Sequence, residues 1–333
     1  MLEFVSEWAN STFGIAGSIV LFAIGFIALI KGGDWFVDGS VGIAKKFRIP
    51  ELLIGATVVS IGTTLPEVMV SATSAAKGVS SIAYGNAIGS VICNTALIAA
   101  LTIAISPSLV NKKTLTLPVV CFFIAALFYA GVAYFAHEFS RPVGIILLIM
   151  FVAYMIVTVL HAKKHPEEAE EGSEKELGAG KSVLLIILGA ALIAVGANFL
   201  VDNGTIIARS FGVPETVIAL TFVALGTSLP ELVTAITSLV KGHGALSLGN
   251  VIGANVFNLV LVSGMAITIK PFAVPTEKLI GGMNASLVVD IPVMLLVMGL
   301  LTLPALLTGK LKRWQGVTLL AIYAGFIVFQ FCL

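Results

Sequence analysis

The chain reads as an all-α polytopic membrane protein: ten transmembrane helices arranged as two inverted five-helix repeats. Three observations lead there. The composition is 58% hydrophobic and 11% charged, with a mean hydropathy of +1.07, whereas soluble domains carry about 25% charged residues. Apolar stretches of about 20 residues, the length that crosses a bilayer, follow one another along the 333 residues. A six-residue motif, Gly62-Thr63-Thr64-Leu65-Pro66-Glu67, returns almost unchanged as Gly226-Thr227-Ser228-Leu229-Pro230-Glu231.

In order, the first five spans are expected at 14–46, 50–76, 81–106, 115–136 and 142–162. The second five are expected at 182–208, 214–240, 245–269, 286–307 and 314–332. The first and sixth are longer than a bilayer needs, which predicts tilt or extension beyond it. Between the halves lies the one sizeable polar segment, 163–181, rich in glutamate from Glu167 to Glu176. It reads as a solvated acidic linker, since a cation-binding loop needs a more ordered ligand pattern. The domains are therefore 1–162, the linker 163–181, and 182–333. The residues before the first span contain Glu3 and Glu7 and no basic residue, unlike a signal peptide, so the first span is expected to remain.

The halves match at a constant offset of 164 residues. It relates Asp38 to Asp202, Pro50 to Pro214, Glu51 to Glu215, Gly85-Asn86 to Gly249-Asn250, and Asn94 to Asn258. Five spans is an odd number, so the second half enters the bilayer from the opposite side. Inverted repeats with a site at the bilayer midplane are a transporter architecture. With the N-terminus outside, thirteen Lys and Arg residues fall inside and five outside. That bias places the acidic linker in the cytoplasm. A net charge of +1 gives no basic footprint for nucleic acid.

The repeated motif puts a carboxylate where a span should be apolar. A charge at bilayer depth costs at least about 2.5–3.5 kcal/mol. Neither motif contains Lys or Arg, so the compensating charge is read as a bound cation. Pro66 and Pro230 remove a backbone donor, and an unwound turn there would add carbonyl oxygens to the hydroxyls and carboxylates. Oxygen donors suit a hard cation such as Ca²⁺. The four histidines sit at span ends or in loops, and nothing favours a Zn²⁺ or Cu²⁺ centre. The following span of each half repeats Gly-Asn and a later Asn: Gly85-Asn86 to Asn94, and Gly249-Asn250 to Asn258. Its paired glycines, Gly85/Gly89 and Gly249/Gly253, are spaced for close helix packing. Ser90 and Asn94, at i and i+4, share a face, as do Ala254 and Asn258. Lys31 and Asp34, at i and i+3, are expected to pair.

These paired elements resemble the two alpha repeats of the cation/calcium exchanger superfamily, most closely its prokaryotic sodium/calcium exchanger branch. The resemblance covers essentially the whole chain, with motif regions at 60–94 and 224–258. It implies a multi-pass protein of a prokaryotic cell membrane, with Ca²⁺ and Na⁺ as transported ions and no cofactor. By resemblance, Ca²⁺ is held by the carboxylates of Glu67 and Glu231 and the backbone carbonyls of Thr63 and Thr227. Flanking Na⁺ sites would use the Ser60 and Ala224 carbonyls, the Thr63 and Thr227 hydroxyls, and the side chains at Ser90 and Ala254. Thr64, Ser228, Asn94 and Asn258 would line the centre. Two departures stand out: Ala254 lacks the hydroxyl common in the second repeat, and Asn258 is an amide where potassium-dependent relatives carry Asp.

The implied activity is Na⁺/Ca²⁺ antiport. The alternative is H⁺/Ca²⁺ antiport with the same glutamates carrying protons, and a more distant one is a cation channel. A membrane enzyme is disfavoured, since neither a His-Glu-x-x-His nor a Gly-x-Ser-x-Gly arrangement occurs.

Overall fold

The computed structural model describes residues 2–164, 177–212, 226–276 and 279–332. Its helices are α1 (Leu2–Phe13), α2 (Ile15–Phe47), α3 (Glu51–Ala76), α4 (Ser80–Ile105), α5 (Lys112–Phe135) and α6 (Arg141–Lys164). The second half supplies α7 (Ala179–Ser210), α8 (Leu229–Val240), α9 (Gly244–Ile269), α10 (Ser286–Thr308) and α11 (Arg313–Cys332). Eight of the described helices are long and apolar enough to cross a bilayer. The expected seventh span appears as the shorter α8, because 213–225 lies outside the described residues, and the tenth appears as α11, 20 residues long. Most of the linker, 165–176, also lies outside them.

Helix ends are set by local chemistry. Arg48 closes α2 in the left-handed region at φ 51°, and the Ile49 amide returns to the Ala44 carbonyl at 2.9 Å, a left-handed C-terminal cap just before Pro50. Asn111 caps α5 by accepting the Lys113 amide. Short antiparallel ladders tie loops together: β1 (Ser108–Leu109) with β6 (Lys310–Leu311), β2 (Glu138–Phe139) with β3 (Phe272–Ala273), and β4 (Leu279–Ile280) with β5 (Met283–Asn284).

α1 is an element that hydropathy does not reveal. It packs against the start of α2 and the C-terminal part of α7, where Asn203 donates to the buried Ser6 hydroxyl at 3.0 Å.

The main core is built on α4, α5, α9 and α10, with Phe122, Tyr129, Phe257 and Met298 fully buried. Outward-facing Leu127, Ile149, Ile187 and Leu303 are exposed, which on spanning helices makes a lipid-facing surface. α2 and α7, at 33 and 32 residues, are each about 50 Å long at 1.5 Å per residue. They pack on each other through small residues. A Cβ on Gly25 would stand 2.9 Å from the Gly196 carbonyl, and one on Gly32 would stand 2.8 Å from the Ile193 amide. Without side chains there, the two backbones approach closely.

Asp34 does not pair with Lys31. Lys241, just after α8, reaches the carboxylates of Asp38 at 2.7 Å and Asp34 at 3.4 Å. An intrahelical i, i+3 pair contributes only a few tenths of a kcal/mol, whereas Lys241 meets two carboxylates at once. Its side chain is 27% exposed, so this clamp contributes at most about 1 kcal/mol to stability.

Candidate functional site

Each motif sits beside an irregular turn. In the first half, a π-helical stretch at Gly55–Val59 precedes Ser60, and α3 then continues as regular helix through Pro66. The unwinding expected at Pro66 is therefore absent, and the irregularity lies upstream of the motif. In the second half, Thr227 and Ser228 form a turn and α8 starts at Leu229. Pro230 falls in the first turn of α8, where an amide hydrogen is unneeded. Glu231 falls there too, where the helix dipole favours negative charge. Two further π-helical stretches, Asn94–Ala99 and Asn258–Val262, begin at repeat-matched asparagines. π turns inside α-helices are frequent at functional sites.

The motif side chains converge in the interior. Glu67, Glu231, Ser60, Asn94, Ala254 and Asn258 are all at 0% exposure, and Thr63, Thr64, Ser228 and Ser90 are also buried. Ala224 lies outside the described residues. Both oxygens of Glu67, Oε2 of Glu231, the Ser228 hydroxyl and both amide atoms of Asn94 and Asn258 have no hydrogen-bond partner among the described residues. A buried unpaired polar atom costs about 1–3 kcal/mol, and a charged one more. Such a concentration of them calls for a polar or cationic guest.

The two halves meet through side-chain oxygens. The Thr64 hydroxyl approaches Glu231 Oε1 at 3.4 Å. The Thr63 hydroxyl donates to Asn250 Oδ1 at 3.2 Å, and the Thr227 hydroxyl donates to Asn86 Oδ1 at 3.3 Å. Thr63 to Thr227 and Asn86 to Asn250 are each steps of 164 residues, so these two contacts are the same contact made once from each repeat. Ser60 lies between the Gly55 carbonyl at 2.8 Å and the Asn250 carbonyl at 3.0 Å. Asn86, Ser90 and Thr227 also reach a cavity of about 440 Å³ between α4 and α11.

Asn86 and Asn250 are functional candidates that the sequence reading passed over as part of a glycine packing motif. The signal was there, since both repeat at the common offset. Their neighbouring glycines differ between the halves. A Cβ on Gly249 would overlap the Leu52 carbonyl, and one on Gly253 would stand 2.5 Å from Ala56 Cα. Gly85 and Gly89 meet no described atom within 4 Å and border the cavity instead. Close packing thus explains the second pair and not the first.

Among the described residues, no group of three or more His, Cys, Asp or Glu side chains gathers to hold a metal. Two carboxylates among hydroxyl, amide and carbonyl oxygens are all-oxygen chemistry, suited to hard cations such as Ca²⁺.

Comparison with known proteins agrees with this chemistry. The sequence profile described as sodium/calcium exchanger protein matches residues 17–160 and 181–332. A membrane protein of Methanocaldococcus jannaschii is 36% identical over 303 residues, covering 91% of this chain and 94% of its own length. The sodium/calcium exchanger MaX1 of Methanosarcina acetivorans is 30% identical, covering 95% of this chain and 99% of its own. Among solved structures, the sodium-calcium exchanger NCX_Mj soaked with Na⁺ and Sr²⁺ superposes with a TM-score of 0.81 at 33% identity. That match covers 94% of this chain and 99% of the other.

Proposed function

This chain belongs to the sodium/calcium exchanger family, and we propose that it is a secondary active antiporter exchanging Na⁺ for Ca²⁺ by alternating access. The observation that carries the proposal is the matched pair Glu67 and Glu231, fully buried, with both carboxylate oxygens of Glu67 and Oε2 of Glu231 satisfied by no described residue. The exchange site lies between ten helices arranged as two inverted repeats, with the N-terminus outside and the acidic linker cytoplasmic.

In this reading Glu67 and Glu231, with the backbone carbonyls of Thr63 and Thr227, hold Ca²⁺. Na⁺ binds in flanking positions through the Ser60 and Ala224 carbonyls, the Thr63 and Thr227 hydroxyls, and the Ser90 side chain. Ala254 contributes none. Thr64, Ser228, Asn94 and Asn258 line the centre and keep it polar.

Charge counting gives the coupling. The empty site with both glutamates ionised is −2. Closing a low-dielectric interior around it is very unfavourable. One Ca²⁺ neutralises it, and so do two Na⁺, so only loaded states cross. The two ions compete for the same carboxylates, which links their fluxes without covalent chemistry. A load of three Na⁺ is +1, and moving one charge across the full potential is worth about 2.3 kcal/mol per 100 mV. The moving part is the pair α2 and α7, whose glycine faces let them travel together.

The test is Ca²⁺ flux in proteoliposomes under imposed Na⁺, H⁺ or K⁺ gradients. Drive by Na⁺ alone supports the reading. Drive by a pH gradient with Na⁺ absent would establish H⁺/Ca²⁺ antiport, and flux without any counter-gradient would establish a channel.

A further inference from the structure

We propose that Asn86 and Asn250 are positioning residues of the cation site. Each takes the hydroxyl proton of a threonine in the opposite repeat, leaving that oxygen to face a cation with lone pairs only. The inference rests on the reading of Thr63 and Thr227 as Na⁺ ligands.

Proton bookkeeping fixes the orientation of each amide. An asparagine side chain presents one acceptor oxygen and one donor nitrogen, and its neighbours decide which end lies where. Asn86 Nδ2 lies 3.1 Å from the Glu67 backbone carbonyl and 2.9 Å from the Ser71 hydroxyl. The carbonyl only accepts, and Ser71 gives its own proton to the Ala83 carbonyl at 3.4 Å. Reversing the amide would set its oxygen against the Glu67 carbonyl oxygen, which has no proton to give. The Asn86 oxygen therefore faces Thr227, and Thr227 must donate to it.

The second repeat reaches the same result with different parts. Asn250 Nδ2 donates to the Thr234 hydroxyl at 2.8 Å. The single Thr234 proton is satisfied by the backbone carbonyls of Pro230 at 2.9 Å and Glu231 at 3.0 Å, which leaves its oxygen as the acceptor for Asn250. Asn250 Oδ1 then faces Thr63, which donates across 3.2 Å. Val70 and Ala235 occupy the positions that repeat symmetry assigns to Thr234 and Ser71. The two halves thus lock the amide by different hydroxyls and arrive at one proton arrangement.

A hydroxyl whose proton points at a bound cation is repelled by it. One whose proton is already given away offers its oxygen without reorienting. Both amides are anchored beside a glutamate: Asn86 directly on the Glu67 carbonyl, Asn250 through Thr234 to the Glu231 carbonyl. Each threonine is thereby held in register with a carboxylate, as an outer partner orients a metal ligand.

The experiment is a mutant cycle in proteoliposomes, with Asn250→Ala, Thr63→Val and the double variant, repeated for Asn86→Ala and Thr227→Val. Two quantities are read: the Na⁺ concentration that half-saturates Na⁺-driven Ca²⁺ efflux, and the Ca²⁺ concentration that half-saturates Ca²⁺/Ca²⁺ exchange without Na⁺. Loss of an outer partner typically costs about 10–100-fold in metal affinity. We expect the Na⁺ value to rise about tenfold in each single variant, the Ca²⁺ value to move less than about threefold, and the double variant to match Thr63→Val alone. If Thr63→Val leaves Na⁺ dependence unchanged, the threonine is no Na⁺ ligand and the underlying site assignment fails. If Thr63→Val weakens Na⁺ while Asn250→Ala does not, or if the two effects multiply, the positioning role is overturned and the site assignment survives. Should Asn250→Ala not accumulate folded, Asn250→Ser tests the same contact with a side chain that can accept the threonine proton, and is expected to retain Na⁺ dependence within about threefold. A larger Na⁺ defect in that variant overturns the proposal.

Discussion

Thr64 and Glu231, 167 residues apart in the chain, lie within 3.4 Å of each other at the centre of the protein. The contact joins the carboxylate of one repeat to a hydroxyl of the other. Both glutamates are fully buried, and each half contributes polar side chains to the same interior.

Glu67→Gln and Glu231→Gln are each predicted to abolish Ca²⁺ transport while the protein still folds and inserts. The amide keeps the shape and halves the site charge. Because ligand charge count tunes Ca²⁺ affinity over orders of magnitude, the loss should be at least about a hundredfold. Ca²⁺ uptake into vesicles, normalised to inserted protein, checks this. A variant exchanging at near wild-type rate removes that glutamate from the ligand set.

Ca²⁺ movement should follow a Na⁺ gradient at full rate in potassium-free media. Asn258 begins the π-helical stretch Asn258–Val262, fully buried, and as a neutral amide it adds no third charge for a further cation. Asn258→Asp should instead make the rate respond to K⁺. Flux assays with K⁺ replaced by choline decide it, and a strict K⁺ requirement in the unmodified protein contradicts the prediction.

Ala254→Ser is predicted to tighten Na⁺ binding, and Ser90→Ala to weaken it. The two positions are repeat-equivalent, both are buried, and only Ser90 carries a hydroxyl. A hydrogen bond or ligand to a charged partner is worth roughly 1.5–3 kcal/mol, so a shift of about tenfold is expected in Na⁺ competition against Ca²⁺ uptake. An unchanged Na⁺ dependence in Ala254→Ser means that another oxygen already serves that position.

Gly249→Ala should be strongly destabilising, since its Cβ would overlap the Leu52 carbonyl in the backbone of α3. Overpacking typically costs about 1–3 kcal/mol, and here rigid backbone has to yield. Gly131→Ala on α5, with no described atom within 4 Å of the added Cβ, should be neutral or mildly stabilising through helix propensity. Thermal unfolding of both variants in detergent is the comparison. Equal Tm values would mean that α3 and α9 separate more readily than their packing indicates.

Hydropathy placed the long helices within about three residues of their observed ends, because lipid permits little but helix. It missed α1, whose half-polar face does not register as a span. The 164-residue offset brought Glu67, Glu231, Thr63 and Thr64 to one place. Sequence could not show that α3 would stay helical through Pro66 while the second copy breaks at Thr227 and Ser228, since the two motifs differ there only by Thr64 against Ser228. Nor could it separate Gly85 from Gly249, because identical spacing says nothing of what lies opposite. The partnership of Lys241 with Asp38 joins helices far apart in sequence and follows only once α2 and α8 are set side by side.

The π-helical stretches that open at Asn94 and Asn258 also carry a chronology. Each is a turn widened by one residue, and in sequence terms a widened turn is an insertion. Two separate insertions at the same register, each beginning on an asparagine, make a longer history than one insertion copied when a half-length ancestor doubled. Parsimony thus dates the widened turn before the two-repeat chain, and the differences between Ser71 and Ala235, Val70 and Thr234, or Ser90 and Ala254 after the copies began to diverge. Reconstructed ancestral halves should keep the turn at the same register, and an ancestor carrying it in one half alone would reverse that order.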